Sequence, residues 1–194
     1  NDKYNIIDRT NDVIFTVDPL NSYDFDDGLS VTKNADDTYT VSVYISNVYV
    51  WLDILNLWSS FSKRVSTIYL PDYRRPMLPT LFSEQLCSLH SNKNRFAVAA
   101  YFIVDINGNI NSVSYSNCMI RIFNNYVYED SELLTKKDYN ILLMLANKQD
   151  NSILSSYEVI AYWMKMYNIH TGLNMFKQKI GIFRSVKYIE KQQS

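Results

Sequence analysis

Between Val17 and Val31 the chain reads VDPLNSYDFDDGLSV, which places Asp18, Asp24, Asp26 and Asp27 within ten positions, flanked by apolar residues. Carboxylates this crowded repel one another, and they resist joint burial unless a cation offsets their charge. An aspartate-rich segment is often no more than a solvated turn, because Asp favours turn backbone. Three features argue for a held cluster instead. Asp18 follows the short apolar run Val13–Val17, Pro19 stiffens the exit, and Leu29 and Val31 resume a strand directly after the last aspartate. On extended backbone Asp24 and Asp26 share a face while Asp27 points the other way. Gly28 permits a bend that would turn Asp27 back. With Asp18 returning across the loop, hard oxygen ligands would surround one or two divalent ions. Oxygen-only ligation suits Mg²⁺ or Mn²⁺ over Zn²⁺. An EF-hand starting at Asp24 is excluded, because it needs Gly and Glu where the chain has Leu29 and Ala35. Carboxylate sites with two metals cleave phosphodiesters.

Other chemistries find little support. The chain holds four glycines and two histidines, with no phosphate-binding glycine loop, no G-x-S-x-G elbow and no zinc-ligand spacing. His90, after CSL, reads as structural or surface rather than as a general base. Cys87 and Cys118 read as two buried thiols in a reducing cytoplasm. The formal net charge of −1 gives no global pull toward nucleic acid or membrane, although a local basic groove would suffice for RNA. No eighteen-residue apolar run and no leader pattern occur in the sequence, and the expectation is a cytoplasmic protein without a membrane span. Asn1 in place of Met suggests a processed or partial chain.

The elements that must position the aspartates follow from periodicity. With 194 residues, 47% hydrophobic, the chain suffices for one domain with a real core, taken as residues 1–194. Leu29–Lys33 and Thr38–Ile45 flank the turn-rich NADD and predict a hairpin. In the second strand Tyr39, Val41, Val43 and Ile45 alternate with Thr40, Ser42 and Tyr44. Asp53 is a candidate cap for a helix to about Lys63. Ser66–Leu70 reads as extended, and the three prolines of PDYRRPMLP argue against regular structure there. Phe96–Val104 and Asn109–Tyr115 predict strands around DING. The rear is helical. Thr135 and Asp138 form a candidate capping box before YNILLMLANK, and Tyr157, Ile160, Ala161 and Met164 form a candidate buried stripe. IGIFRSV predicts a last strand, with Gln192–Ser194 frayed. The fold class is α+β, with a mixed or antiparallel sheet in the N-terminal half followed by packed helices.

TVDPLNSYDFDDGLSV resembles the signature of the ribonuclease II, or RNB, exoribonucleases: a hydrophobic strand, D-P, then D-x-D-D-A-L. All four aspartates match in spacing, and Gly28 stands where alanine is usual. Further segments resemble the family in order. VYISNVYVWL is similar to H-I-A-D-V, with Tyr44 and Asn47 replacing His and Asp. LDILNLWSSFSKRVSTIYLPD aligns Arg64 and Tyr69 with the L-D…R-x-T-x-V-Y-L-P-D block. PMLPTLFSEQLCSLHSNKNRFAVAAYF resembles P-M-L-P…L-C-S-L…R-x-A, YVYE resembles Y-x-Y-E, and YEVIAYWMKMYN resembles V-E-E-F-M-x-x-A-N.

The resemblance implies an RNB-like catalytic domain that degrades single-stranded RNA from the 3′ end with Mg²⁺, releasing nucleoside 5′-monophosphates. It implies that Asp18, Asp24 and Asp27 are metal ligands and that Asp26 is the most critical catalytic aspartate, organising a second ion and the attacking water. It implies that Tyr128 contacts the terminal nucleotide. Arg64, Arg74, Arg75 and Arg95 are candidate phosphate contacts. The chain also departs from the family. Ala161 and Tyr162 replace paired glutamates, one of which anchors the terminal sugar. The spacer NKQDNSILSS is short. The sequence ends soon after GIFRS, before an S-P-[IL]-R-R-Y motif, so a second chain or a further segment is expected to complete the domain. An inactive RNB-like RNA-binding or interaction subunit is the alternative reading, and a metal-binding structural module without an RNA role comes last.

Overall fold

The computed structural model describes residues 2–61 and 66–183. Arg64 and Lys63 lie outside them, as do Gln192–Ser194 and the end of the expected last strand from Arg184 onward. Its described start, Ile180–Phe183, is not a strand.

Five strands form the front of the molecule: β1 (Ile7–Asp18), β2 (Asp27–Lys33), β3 (Tyr39–Ser46), β6 (Asn94–Val104) and β7 (Ile110–Val127). They hydrogen-bond in the order β1-β2-β3-β6-β7, and β7 returns to β1, so the expected mixed sheet closes into a barrel. Every neighbouring pair is antiparallel except β1 with β7. The predicted hairpins around NADD and DING are both present. At the second, Gly108 takes φ +83°, a conformation that glycine adopts without a Cβ penalty. β1 and β7 are longer than predicted, because their outer turns are exposed and carry little hydrophobic signal.

Strand alternation sorts side chains onto two faces, and both are covered. Phe15, Leu29, Val31, Val41, Val43 and Phe102 belong to one buried cluster, shared with the rear helices. Ile14, Tyr44, Ala97, Ala99, Cys118 and Ile122 form the other. This is why Tyr44 is fully buried, although it sits on the face that a half-buried strand would leave polar. A shift in the β1–β7 register after Ile122 moves Tyr126 onto the face of the first cluster.

Between β3 and β6 the chain forms α1 (Val48–Ile54), α2 (Trp58–Phe61), the two-residue strands β4 (Ile68–Tyr69) and β5 (Arg74–Arg75), and a π-helical segment, Leu81–Leu86. Asp53 is not a cap. It lies inside α1, whose N-cap is Asn47, and its carboxylate accepts from Lys3 Nζ and Tyr4 OH. The prolines do not prevent pairing of β4 with β5, because Pro71 and Pro76 lie just outside the paired positions, where no ladder donor is needed.

The rear consists of α3 (Ser131–Thr135), α4 (Lys137–Gln149) and α5 (Ser156–Lys177). The predicted capping box at Thr135 does not form. Thr135 ends α3, and its hydroxyl donates to the Glu132 carbonyl. The capping box belongs instead to α5, where Ser155 and Glu158 each hold the other's backbone N–H. The buried stripe of α5 is also displaced from the predicted one, and runs through Val159, Ile160 and Trp163. Of the predicted stripe Ile160 is buried, while Tyr157 and Ala161 are exposed. Trp163 packs on Phe102 of β6 and donates its indole N–H to the Leu142 carbonyl at 3.3 Å, joining both long helices to the barrel. Among the described residues no helix is long and apolar enough to cross a membrane.

Truncating a fully buried aromatic leaves a cavity worth about 3–5 kcal/mol. Trp163→Ala is therefore expected to lower the urea midpoint strongly. Tyr157→Ala, on the exposed face of the same helix, should shift it by less than about 1 kcal/mol equivalent.

Candidate active site

The aspartates gather at one rim of the barrel because three strand ends meet there. Asp18 ends β1 opposite Val127, and Asp27 opens β2 opposite Ile45. Pro19 has no N–H with which to continue the ladder, so β1 stops at Asp18 and the chain loops out to Asp24. The Ser46 amide returns to the Asp26 carbonyl at 2.9 Å. Gly28 lies close against the barrel interior: a Cβ there would stand 3.2 Å from Ile14 Cγ2.

This neighbourhood penalises negative charge. Burial, then the Asp27 charge, pushes the Asp18 carboxyl up to about 7, with Thr16 opposing and Asp26 and Asp24 adding to the rise. Burial and Asp26 push Asp27 up to about 6. Asp26 is raised by burial and then by Asp24. Asp18 Oδ2 is buried with no hydrogen-bond partner. An orphaned carboxylate oxygen among acidic neighbours matches, in donor chemistry, a hard divalent cation. Among the described residues, however, no three His, Cys, Asp or Glu side chains close around a single point. The four aspartates are mutually felt but not drawn into a finished cage.

Tyr128 joins them. Because β1 and β7 run parallel and end together, the Tyr128 amide reaches the Asp18 carbonyl at 3.1 Å. Burial and the charges of Asp18 and Asp27 hold its phenol above the usual range. Glu129 fixes the next step. Its carboxylate accepts from the Ser156 amide at 2.7 Å and from the Ser156 hydroxyl at 2.9 Å, at the start of α5. That tie sets Tyr157 edge-on against Tyr128, with ring centroids 5.5 Å apart. Sequence reasoning placed Tyr157 in the core. The serine–glutamate capping signal in SSYE, which marks the helix start, would have shown it to lie in the first turn, beside the barrel rim.

A cavity of about 220 Å³ adjoins the cluster, lined by Asp24 and Asp26 on one side and Tyr69, Met77, Leu78 and Cys87 among others. Arg75 is exposed on β5, in the hairpin that contributes Tyr69 to this cavity. For Arg74 only the backbone, paired with Tyr69, is described. Arg95 is differently placed from an open phosphate contact. Its guanidinium donates to the carbonyls of Ser88 at 2.6 Å, Gln85 at 2.8 Å and Asn94 at 3.0 Å. His90 is structural, its ring packed on Phe25 and its Nε2 at 2.7 Å from the Glu84 carbonyl. Cys87 and Cys118 are buried free thiols. At the positions of the family's paired acids, Ala161 is exposed and Tyr162 packs edge-on against Trp163 in the rear core.

The sequence of the RNB domain family matches this chain over residues 7–180. The chain belongs to the RNB domain family. It is 32% identical over 175 residues to exoribonuclease 2 of Buchnera aphidicola subsp. Cinara cedri, a match that covers 89% of this chain and 26% of that protein. The fold is that of RNase R from Mycoplasma genitalium, solved in complex with ribose methylated single-stranded RNA. The TM-score is 0.78 at 21% identity, covering 90% of this chain and 34% of that one. Yeast Ssd1, described as a pseudonuclease, shares the fold at a TM-score of 0.62 and 20% identity, covering 74% of this chain and 19% of that one. The chain thus spans about a third or less of the length of each of these RNB relatives. The resemblance and the α+β fold read from the motifs are both borne out.

A carboxyl whose folded pKa is raised favours the fold while protonated and loses that contribution as pH rises through its folded value. In metal-free buffer Asp18→Asn is therefore expected to raise the melting temperature above wild type at pH 8. The advantage should shrink as pH falls through about 7 and vanish below about 4. Melting curves of the two proteins across this range check it.

Proposed function

We propose that this chain carries the metal-binding front of a Mg²⁺-dependent 3′→5′ exoribonuclease, with Mn²⁺ as a substitute, which hydrolyses single-stranded RNA to nucleoside 5′-monophosphates. The observation that carries the reading is the buried, unpartnered Oδ2 of the charge-crowded Asp18 carboxyl, at a rim shared with Asp24, Asp26 and Asp27. Membership of a family that includes named exoribonucleases supports it. Asp18, Asp24, Asp26 and Asp27 would hold the cation or cation pair, with Asp26 the aspartate nearest in role to the chemistry. A bound divalent cation would supply Lewis acidity at the scissile phosphate and lower the pKa of an attacking water.

The remaining roles fall to side chains. Tyr128 and Tyr157 offer aromatic faces against which bases of any identity can stack, which suits a processive enzyme that must not read sequence. Arg64, Arg74 and Arg75 are proposed to neutralise phosphates along the approach. Arg95, with its donors on three backbone carbonyls, contributes to the scaffold and not to the phosphate path. Tyr162 packs against Trp163, which supports a sugar anchor elsewhere than at that helix position. A further segment or a second chain would complete the catalytic domain.

The test is direct. Mg²⁺ is expected to raise the melting temperature of wild type at pH 7.5 and to leave Asp26→Asn nearly unchanged. With 5′-labelled single-stranded RNA and Mg²⁺, wild type should shorten the strand progressively from its 3′ end, and Asp26→Asn should be slower by at least about 100-fold, the scale for losing a group that stabilises transition-state charge. RNA binding without shortening, even when the C-terminal part of an RNB domain is supplied, would reject the enzyme in favour of an RNA-binding subunit.

A further inference from the structure

The loop that carries Asp24 and Asp26 lies outside every strand, yet Phe25 between them is held at both peptide groups and at its ring. The Phe25 amide donates to Ser88 Oγ at 2.9 Å, and the Phe25 carbonyl accepts from the Leu89 amide at 2.8 Å. The Phe25 ring packs edge-on against His90, at 5.3 Å between centroids. A second stitch lies beside the first. Ser46 Oγ donates to the Cys87 carbonyl at 2.6 Å, while its amide donates to the Asp26 carbonyl at 2.9 Å. Asp24 and Asp26 are therefore anchored through one short turn, Cys87–Leu89, in which Ser88 and Leu89 are fully buried. That turn is in turn clamped by Arg95, through the Ser88 and Gln85 carbonyls. One planar fork that donates to both carbonyls fixes an orientation that a lysine could not reproduce.

We propose that Arg95 is a positioning residue for the acidic cluster, acting through Ser88 and the Phe25 peptide to hold Asp24 and Asp26 where a divalent cation can be captured. This rests on the reading of the cluster as a cation site, and it assigns Arg95 to preorganisation instead of substrate contact. Charge makes the inference separable. Removing a positive charge from the protein would by Coulomb's law alone favour capture of a divalent cation. Loss of the clamp would weaken it, because the ligands then have to be ordered at the moment of binding.

The experiment measures Mn²⁺ affinity by electron paramagnetic resonance, with the metal alone and no RNA, for wild type, Arg95→Met, Arg95→Lys, Ser88→Ala and Arg121→Met. Arg95→Met is expected to bind Mn²⁺ at least about 10-fold more weakly, with incomplete recovery in Arg95→Lys. Ser88→Ala, which changes no charge and removes only the acceptor for the Phe25 amide, should weaken binding in the same direction. It also keeps the test decisive should Arg95→Met not fold. Arg121→Met, which deletes an exposed arginine on β7, should not weaken binding. Equal or tighter binding by folded Arg95→Met and by Ser88→Ala, beside a wild type that binds, would overturn the clamp and leave the cation site standing. A wild type that does not bind Mn²⁺ would overturn the cation site and the clamp together.

Discussion

Electrostatic repulsion among carboxylates at the barrel rim is the constraint on which the remaining architecture turns. Asp18 and Asp27 belong to strand ends, so they cannot drift apart without breaking the β1–β7 and β2–β3 ladders. The fold thus confines negative charge in a partly desolvated place, and the raised Asp18, Asp26 and Asp27 carboxyls register that cost. A protein stabilised only by its core would gain by replacing them with neutral residues. A divalent cation at the rim, as proposed above, would make the arrangement favourable.

The supports around that rim are layered. The barrel supplies the fixed pair, Asp18 and Asp27. Hydrogen bonds from the Ser46 and Leu89 amides, and from the Phe25 amide to Ser88 Oγ, hold the loop between them. The rear helix α5 supplies Tyr157, set by the Glu129–Ser156 tie against Tyr128 at the end of β7.

Much of this was legible in the chain. Four aspartates in a fixed pattern, bracketed by strand-forming residues, together with the ordered motifs after them, identify the family. The hairpins announce themselves through turn residues. What periodicity could not supply was closure. Nothing local in Ile7–Asp18 or Ile110–Val127 reveals that the two strands pair in parallel, because the pairing is a long-range packing outcome. Helix registers were off for related reasons. Apolar content alone placed Tyr157 in the core, although Trp163 and Val159 bury better, and Asp53 looked like a cap when its carboxylate serves Lys3 and Tyr4 from within α1. Arginine type cannot distinguish a scaffold clamp from a phosphate contact, since both use the same planar donors.

The parallel seam between β1 and β7 joins strands more than a hundred positions apart. During synthesis the aspartates leave the ribosome while the strand that brings Tyr128 to them is still untranslated. Closing so distant a seam is slow and comes late in folding. A nascent chain therefore carries the acidic motif without the finished rim, which separates possession of the signature from completion of the site.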